Sequence, residues 1–278
     1  MSAYDTDFVA WESGCIFLSR RRPGAASTVV PMHAHYALQI AFGPSPGIRF
    51  RSSEREEWTT YWGAIIPSRQ PHTMDTSQVE SAAILFVEPE THEGRALTER
   101  QLRGGITALP EEVLADAAGR LFTSWKCEGT ASAISTAARQ LVQELTGNVR
   151  PSAVSDERIL RAIAYIRTHL DRALTLDEVA AEACLSPSRF RHLFVDETGI
   201  GLRPYILWRR FLRVWELLTG GASLSAAAHA AGFADAAHLS RTSRSMFGIP
   251  PSTMQIAALR RGEASGTARY GLGVSGDR

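Results

Sequence analysis

The sequence has few cysteines and no long apolar run. Cys15, Cys127 and Cys184 are odd in number, far apart and without a CxxC pair. This pattern argues against a disulfide framework and fits a reducing compartment. No apolar run approaches the ~20 residues that a membrane-spanning helix needs. The acidic start MSAYDTDFVAWES also lacks the basic and then apolar pattern of a signal peptide. We therefore expect a soluble, cytoplasmic protein with no membrane partner.

Net charge is also nearly absent, at +1 over 278 residues, so overall composition gives no sign of a nucleic-acid partner. The charge is nevertheless uneven along the chain. Between Pro151 and Gly262 there is no lysine, and 14 arginines stand against 10 acidic residues, a net of about +4 that leaves about −3 elsewhere. This tilt in the second half favours an anionic partner.

The chain up to about Glu88 has a strand-like pattern. Short apolar or alternating runs, such as CIFLS, YALQIAF and AAILFVE, are separated by clusters of Gly, Pro and Ser. Several such strands at close spacing are typical of an antiparallel barrel or sandwich. Two amphipathic helices follow, one opened by Pro110 and one closed by the TGN that starts at Thr146. They can pack back on the β domain or pair with a second subunit, and the sequence leaves both open.

The second half of the chain is predicted to be helical. NVRPSAVSD indicates a linker, and Asp156 is the expected cap of the first helix beyond it. Thr175 and Glu178 form a capping box for a short helix, and Ser186 followed by Pro187 begins the next one. Gly199 is the expected end of that second helix. The two short helices meet at a tight corner, ACL.

A similar phrase recurs about 48 residues later. SLSAAAHAAGFADAAHLSRTSRSMFGIPP has Ser223 as one cap, Asp235 as another, a Gly–Phe corner between them, and Gly248 as the end. One long helix, RPYILWRRFLRVWELLTGG, is expected between the two phrases, opened by Pro204 and stopped by Gly220. A tight corner between two short helices, the second polar and cationic, is the pattern of a DNA-reading helix-turn-helix.

The segment from Leu174 to Pro251 resembles the double helix-turn-helix domain of the AraC/XylS family of transcription regulators. The matching phrases are LTLDEVAAEACLSPSRFRHLF, ETGIGLRPYILWRRFLRVWELL and AHAAGFADAAHLSR with FGIPPS. The resemblance implies two recognition helices that enter successive major grooves of double-stranded DNA. Residue matching and outward orientation place the candidate DNA contacts at Ser188, Arg189, Arg191, His192, Ala236, Ala237, Ser240, Arg241 and Arg244.

Three positions depart from the family pattern. Ser243 stands where the family has Phe, Ala227 where it has a large aliphatic residue, and Met254 with Gln255 where it has Tyr and Arg. We therefore expect the second unit to be less tightly packed, and sequence specificity to depend more on the first.

In the first half, PMHAHYALQIAFG and GAIIPSRQPHTM resemble a small cupin barrel of the kind found in sensory domains of the same family. His33 and His35 alternate onto one face of a strand, and His72 follows later. Metal-binding cupins carry Glu where this chain has Gln39. The three histidines can hold zinc, iron, nickel or copper, or can line the barrel mouth without a metal. The candidate effector-binding residues are His33, His35, Gln39, Trp58, Trp62 and His72.

Together these patterns predict an α+β chain in four parts. Residues 1–108 form a cupin-like sensing barrel, 109–150 a helical connector for dimerisation, 151–262 the DNA-binding domain, and 263–278 a disordered tail. We expect a non-enzymatic, homodimeric transcription regulator, an activator by preference, that needs no cofactor and responds to a small-molecule effector. Contact with RNA polymerase is implied by the resemblance alone. The alternative is a metal-dependent cupin enzyme, such as a dioxygenase or isomerase, or a metal- or redox-sensing regulator.

Overall fold

The computed structural model describes residues 4–24, 29–127, 129–147 and 154–256. The strands in chain order are β1 Tyr4–Trp11, β2 Gly14–Arg21, β3 Val29–His33, β4 Leu38–Phe42, β5 Ile48–Arg51, β6 Thr59–Tyr61, β7 Gly63–Ile66, β8 His72–Asp75, β9 Ser81–Val87, β10 Thr107–Ala108 and β11 Met254–Ile256. Residues 148–153 of the predicted linker and the predicted tail, 263–278, lie outside the described residues.

The strands form two sheets, ordered β10-β7-β4-β9-β2-β1-β11 and β3-β8-β5-β6. Their pairing is antiparallel, apart from a parallel contact between β1 and β11. This confirms the predicted antiparallel β domain. Because successive side chains of a strand point in opposite directions, those of β1 and β2 alternate between the two faces of the sheet. Val9 and Ile16 face one hydrophobic core, whereas Phe8 and Phe17 face another.

The described residues of the first half form three helices: α1 His92–Gln101, α2 Glu111–Cys127 and α3 Ala131–Thr146. Leu114 and Leu121 of α2 and Leu141 of α3 join the core against the seven-stranded sheet. Of the two arrangements that the sequence left open, the structure therefore shows packing on the β domain. The helix α1 was not predicted, because its mostly polar sequence buries little more than Ala96 and Leu97.

The second half is helical, as predicted. Its helices are α4 Glu157–Thr168, α5 Leu176–Glu182, α6 Pro187–Thr198, α7 Leu202–Thr219, α8 Leu224–Ala230 and α9 Ala236–Phe247. Each predicted cap accepts a hydrogen bond from a backbone N–H of the following turn; the caps are Asp156, Thr175, Ser186, Ser223 and Asp235. The predicted start of α7 at Pro204 is wrong. Gly201 is the N-cap, and Pro204 is tolerated in the first turn because an N–H there has no helical partner. No helix in the described part of the chain is long and apolar enough to cross a membrane.

The long helix α7 lies between two hydrophobic cores. Trp208 and Trp215 on one side pack with the first helix-turn-helix unit and with the β domain. Phe211 and Val214 on another side pack with α8 and α9. Both tryptophans are buried. The helix thus connects both helix-turn-helix units to each other and to the sheet.

A buried carboxylate joins α7 to the β domain. Glu88, directly after β9, is fully buried. It accepts a hydrogen bond of 3.1 Å from Nε1 of Trp208 and forms an ion pair with Arg209. Its other oxygen lies 3.5 Å from Nη2 of Arg167 on α4. Since a buried charge is tolerated only with partners, this cluster fixes where the helical domain docks.

We predict that Glu88→Gln destabilises the protein by about 3 kcal/mol, because it leaves Arg209 largely buried without a counter-ion. Urea denaturation followed by tryptophan fluorescence measures the change. The matched control is Glu99→Gln on the exposed face of α1, where we expect a change within about 0.5 kcal/mol. Equal effects of the two substitutions would contradict a structural role for the Glu88 charge.

Candidate functional site

The helix α6 presents a polar surface to solvent because its two phenylalanines are buried in the core of the domain. Ser186 caps it and Pro187 occupies the first position. Phe190 and Phe194 are buried, with exposures of 0% and 1%. The sequence-predicted contacts on this helix are all exposed to solvent: Ser188, Arg189, Arg191 and His192.

The helix α9 is built in the same way. Asp235 accepts a hydrogen bond of 2.6 Å from the backbone N–H of His238, and Leu239 is fully buried. Of the predicted contacts, Ala236 and Ser240 are half-buried, whereas the others are exposed: Ala237, Arg241 and Arg244. At the position of the family's Phe, Ser243 is buried and donates a hydrogen bond of 2.7 Å to the carbonyl of Ile249. The serine therefore anchors the segment that follows α9 instead of filling a core.

The two units are tied together through α7. Arg210 donates hydrogen bonds to the carbonyls of Leu170, at 3.1 Å, and Arg172, at 2.7 Å, in the loop between α4 and α5. Gly232, at the second corner, approaches the same loop so closely that a Cβ there would lie 2.1 Å from the carbonyl oxygen of Leu170. The corner of the second unit thus rests on the first unit, and the two recognition helices are held in a fixed relation.

The arginines of the recognition helices lack ion-pair partners among the described residues. Elsewhere in the described part of this domain some arginines pair with carboxylates, as Arg158, Arg172 and Arg209 do, whereas Arg161 and Arg203 are exposed without an ion pair. The four arginines of the predicted contact set form no ion pair with any described residue; these are Arg189, Arg191, Arg241 and Arg244. Unpaired, exposed guanidinium groups on two capped helices can contact phosphate oxygens or the O6 and N7 acceptors of guanine.

Comparisons with known proteins agree with this geometry. Residues 179–256 match the family model described as a helix-turn-helix domain. The arabinose operon regulatory protein of Escherichia coli is 33% identical over 102 residues, covering 35% of this chain and 34% of that protein. The C-terminal part of the chain is therefore similar in sequence to this regulator and to helix-turn-helix domains. The chain therefore spans about a third of the length of the curated relative it matches.

Solved structures extend the likeness to the whole fold. An apo form of ToxT from Vibrio cholerae superposes with a TM-score of 0.56 at 10% identity, over 88% of this chain and 97% of that one. ToxT bound to an unsaturated fatty acid gives a TM-score of 0.51 at 11% identity, over 91% and 96%. At such low identity the likeness shows the fold alone: a β domain followed by a helical domain.

In the β domain, the structure brings the three predicted histidines together. His33 and His72 are register partners in β3 and β8, and one ligating atom from each of His33, His35 and His72 lies within 4.8 Å of the others. The Nδ1 atoms contact backbone carbonyls of Pro31, Ala37 and Gln70 at 2.8, 2.8 and 2.9 Å. Such contacts orient the rings of metal-ligating histidines and leave Nε2 for the metal.

Burial keeps these imidazoles neutral. Desolvation is the main cause that lowers the pKa of His35 to about 4 and that of His72 to about 2. Neutral imidazole is the form that binds a metal. Nε2 of His72 is buried without a hydrogen-bond partner among the described residues. Nε2 of His35, in contrast, lies 2.7 Å from Oε1 of Gln39, so Gln39 competes for that side of the ring.

A cavity of about 110 Å³ lies beside the histidines, between the β domain and the helical domain. Of the predicted effector-binding residues, His33 and Gln39 line it. His35, His72, Trp58 and Trp62 are not part of its wall. Trp58 instead lies beneath the guanidinium groups of Arg49 and Arg51, at 5.4 and 4.8 Å.

Sequence reasoning missed most of the cavity wall. The main apolar residues are Phe17, Ile84, Phe86, Trp215, Phe247 and Ile249. The available signal was the alternation of large apolar residues on β2 and β9, which leaves one set on each face of the sheet. The contributions of α7 and α9 had no comparable signal, because they depend on how the two domains dock.

Proposed function

We propose that the protein is a sequence-specific DNA-binding transcription regulator that responds to a small-molecule effector. The observation that carries the proposal is the pair of capped recognition helices, α6 and α9, with exposed and unpaired arginines. The arabinose operon regulatory protein supports a regulatory role for this type of domain. The fatty-acid-bound ToxT supports effector binding by a protein of this fold.

In this proposal the contacts are divided between the two helices. On α6, Arg191 and His192 read base edges, and Ser188 and Arg189 contact the edges or the backbone. On α9, Ala236 and Ala237 offer apolar contact, suited to a thymine methyl group. The remaining groups, Ser240, Arg241 and Arg244, provide polar and phosphate contacts. The first helix then dominates sequence discrimination.

Dimerisation and contact with RNA polymerase remain part of the proposal. The outer surfaces of α2 and α3 are polar, with Arg120 and Glu144 forming an ion pair across them. The exposed large apolar residues among the described ones lie elsewhere, at Val29, Leu160 and Val195. A dimer formed through these two helices would therefore have a polar interface, and its stability would depend on salt.

We predict that Arg191→Ala weakens binding to a duplex selected by the protein from a random pool by about 1–3 kcal/mol, because a bidentate guanine contact is lost. The ratio of affinities for selected and scrambled duplexes should fall with it. The measurement is fluorescence anisotropy at several salt concentrations, where phosphate neutralisation must give a negative slope. Circular dichroism checks that the variant is folded.

Arg55→Ala is the matched control, since Arg55 is an exposed arginine on the β5–β6 hairpin, far from the recognition helices in the sequence. We expect no change in affinity there. Unchanged discrimination in Arg191→Ala would reject its base-reading role. Absent or salt-independent binding by the unmodified protein would reject the proposed function itself.

A second candidate is a regulator that senses a metal ion through its histidine cluster. The observation in its favour is the convergence of three neutral imidazoles, each with Nδ1 already held by a backbone carbonyl. Imidazole ligands suit zinc, iron, nickel and copper, and a bound ion would link β3 to β8. A metal-dependent enzyme would need an open coordination position in addition.

For this candidate we expect chelator-treated protein to bind one equivalent of Zn²⁺ in a calorimetric titration. His72→Gln should abolish binding because it removes the partnerless Nε2, while His229→Gln, on the exposed side of α8, should leave it unchanged. Absence of binding by the unmodified protein would eliminate both metal-based alternatives.

A further inference from the structure

The cavity between the two domains has walls from both. The β domain contributes Phe17 from β2 and Ile84 and Phe86 from β9. The helical domain contributes Trp215 from α7 and Phe247, the last residue of α9. The wall is complete only where the domains are docked, so a molecule that fills it contacts both.

The chemistry of the wall selects against charge. The described residues that line the cavity include Ala82 and His33 but no Asp, Glu, Lys or Arg. Several polar groups in the wall already contact one another: Thr6 with Ser19 at 3.0 Å, Tyr4 with Thr76 at 3.5 Å, and Gln39 with Met74 at 3.6 Å. An ammonium group would lose its hydration there without gaining a counter-ion, and a carboxylate could gain one only if the buried imidazole of His33 also became charged.

The size of the cavity limits its occupant. Its volume is about 110 Å³, which is of the same order as the roughly 150 Å³ of an engineered apolar cavity that binds benzene. One six-membered ring, or a branched aliphatic group of similar volume, matches this space. A long acyl chain exceeds it and would have to extend through the open side of the cavity.

The C-terminal end of α9 contacts the β domain at the same place. Gly248 ends the helix with φ +74°, and a Cβ there would lie 2.7 Å from Cγ1 of Val30 and 2.8 Å from the carbonyl oxygen of Pro31. The ring of Phe247 lies against Phe86, with centroids 5.9 Å apart. The recognition helix that carries Arg241 therefore ends on a strand of the sensing domain.

We propose that this interdomain cavity binds a neutral, apolar molecule about the size of one ring, and that its occupancy fixes the position of α9. This inference rests on the proposed function and specifies its effector class and its regulation. A ligand that contacts both walls binds the docked arrangement better than the separated one, and so shifts the population towards it. By linkage, ligand and DNA then change each other's affinity by the same factor.

The ligand class is tested on the full chain with toluene, and with benzoate as its charged counterpart of similar size. Calorimetry should show that toluene binds and that benzoate binds at least about tenfold more weakly. Ala82→Phe should abolish toluene binding by filling the space, with Ala82→Leu as the milder variant if the larger ring prevents folding. No toluene binding, equal binding of benzoate, or toluene binding that survives filling would each overturn the ligand class.

The coupling to α9 is tested with a pair of glycines. Gly248→Ala imposes a side chain at positive φ and a clash with β3, whereas Gly199→Ala, at the end of α6, imposes the same φ of +74° with nothing within 4 Å. We expect Gly248→Ala to weaken toluene binding at least about threefold relative to Gly199→Ala. Equal toluene affinities in the two variants would overturn the coupling, whether or not the protein binds DNA.

The same variants test whether the cavity is coupled to DNA binding. Toluene stabilises the docked arrangement and Gly248→Ala disfavours it, so the two should shift the affinity for the selected duplex in opposite directions, each by about threefold or more. Shifts in the same direction, or none, would overturn the inference while the proposed function stands. Absence of any DNA binding would reject the proposed function, and the toluene measurements would still decide the ligand class.

Discussion

The docking of α7 against the β domain is the interaction on which the rest of the structure depends. Trp215 packs edge-on against Phe17, with ring centroids 5.2 Å apart, and Trp208 packs against Phe86 at 5.7 Å. Aromatic pairs of this geometry add to the free energy gained by burial. Beside them, the buried charge of Glu88 sets the register of the contact. Both helix-turn-helix units are attached to α7, so this contact, together with that of the end of α9 on β3, positions them relative to the β domain.

This arrangement explains how a cavity and a DNA-reading surface can belong to one mechanism. The recognition helices face solvent with their polar sides, while their apolar sides and the end of α9 rest on α7 and β3. A molecule in the cavity has no need to reach the DNA interface. It changes the free energy of docking between the two domains. The position of α9 changes with this docking because Phe247, its last residue, is part of the cavity wall.

How much the sequence could predict depended on how local each signal was. Caps, corners and helix-ending glycines lie within a few residues of the structure they determine, so both helix-turn-helix units were predicted almost to the residue. Gly199 and Gly248 are good examples, since each has the positive φ that a helix end favours. The histidines were also brought together as expected, because β3 and β8 are antiparallel neighbours.

The features that the sequence did not predict depend on distant contacts. Trp58 was assigned to the effector site, but it stacks with two arginines of its own hairpin. Trp215 was not among the predicted effector-binding residues, but it forms part of the cavity wall. In both cases the residue type indicated a buried or stacked aromatic ring correctly. Which ring faces the cavity depends on the docking of elements that lie about 200 residues apart in the sequence, such as β2 with Phe17 and α7 with Trp215.

The proposed function requires that α6 and α9 bind one duplex together. Hydroxyl-radical footprinting of the full chain on its selected duplex measures this. We expect two protected windows on one face of the DNA, about 10 base pairs apart, because two recognition helices in successive major grooves are separated by one helical turn. A single protected window, or two windows on opposite faces, would contradict it.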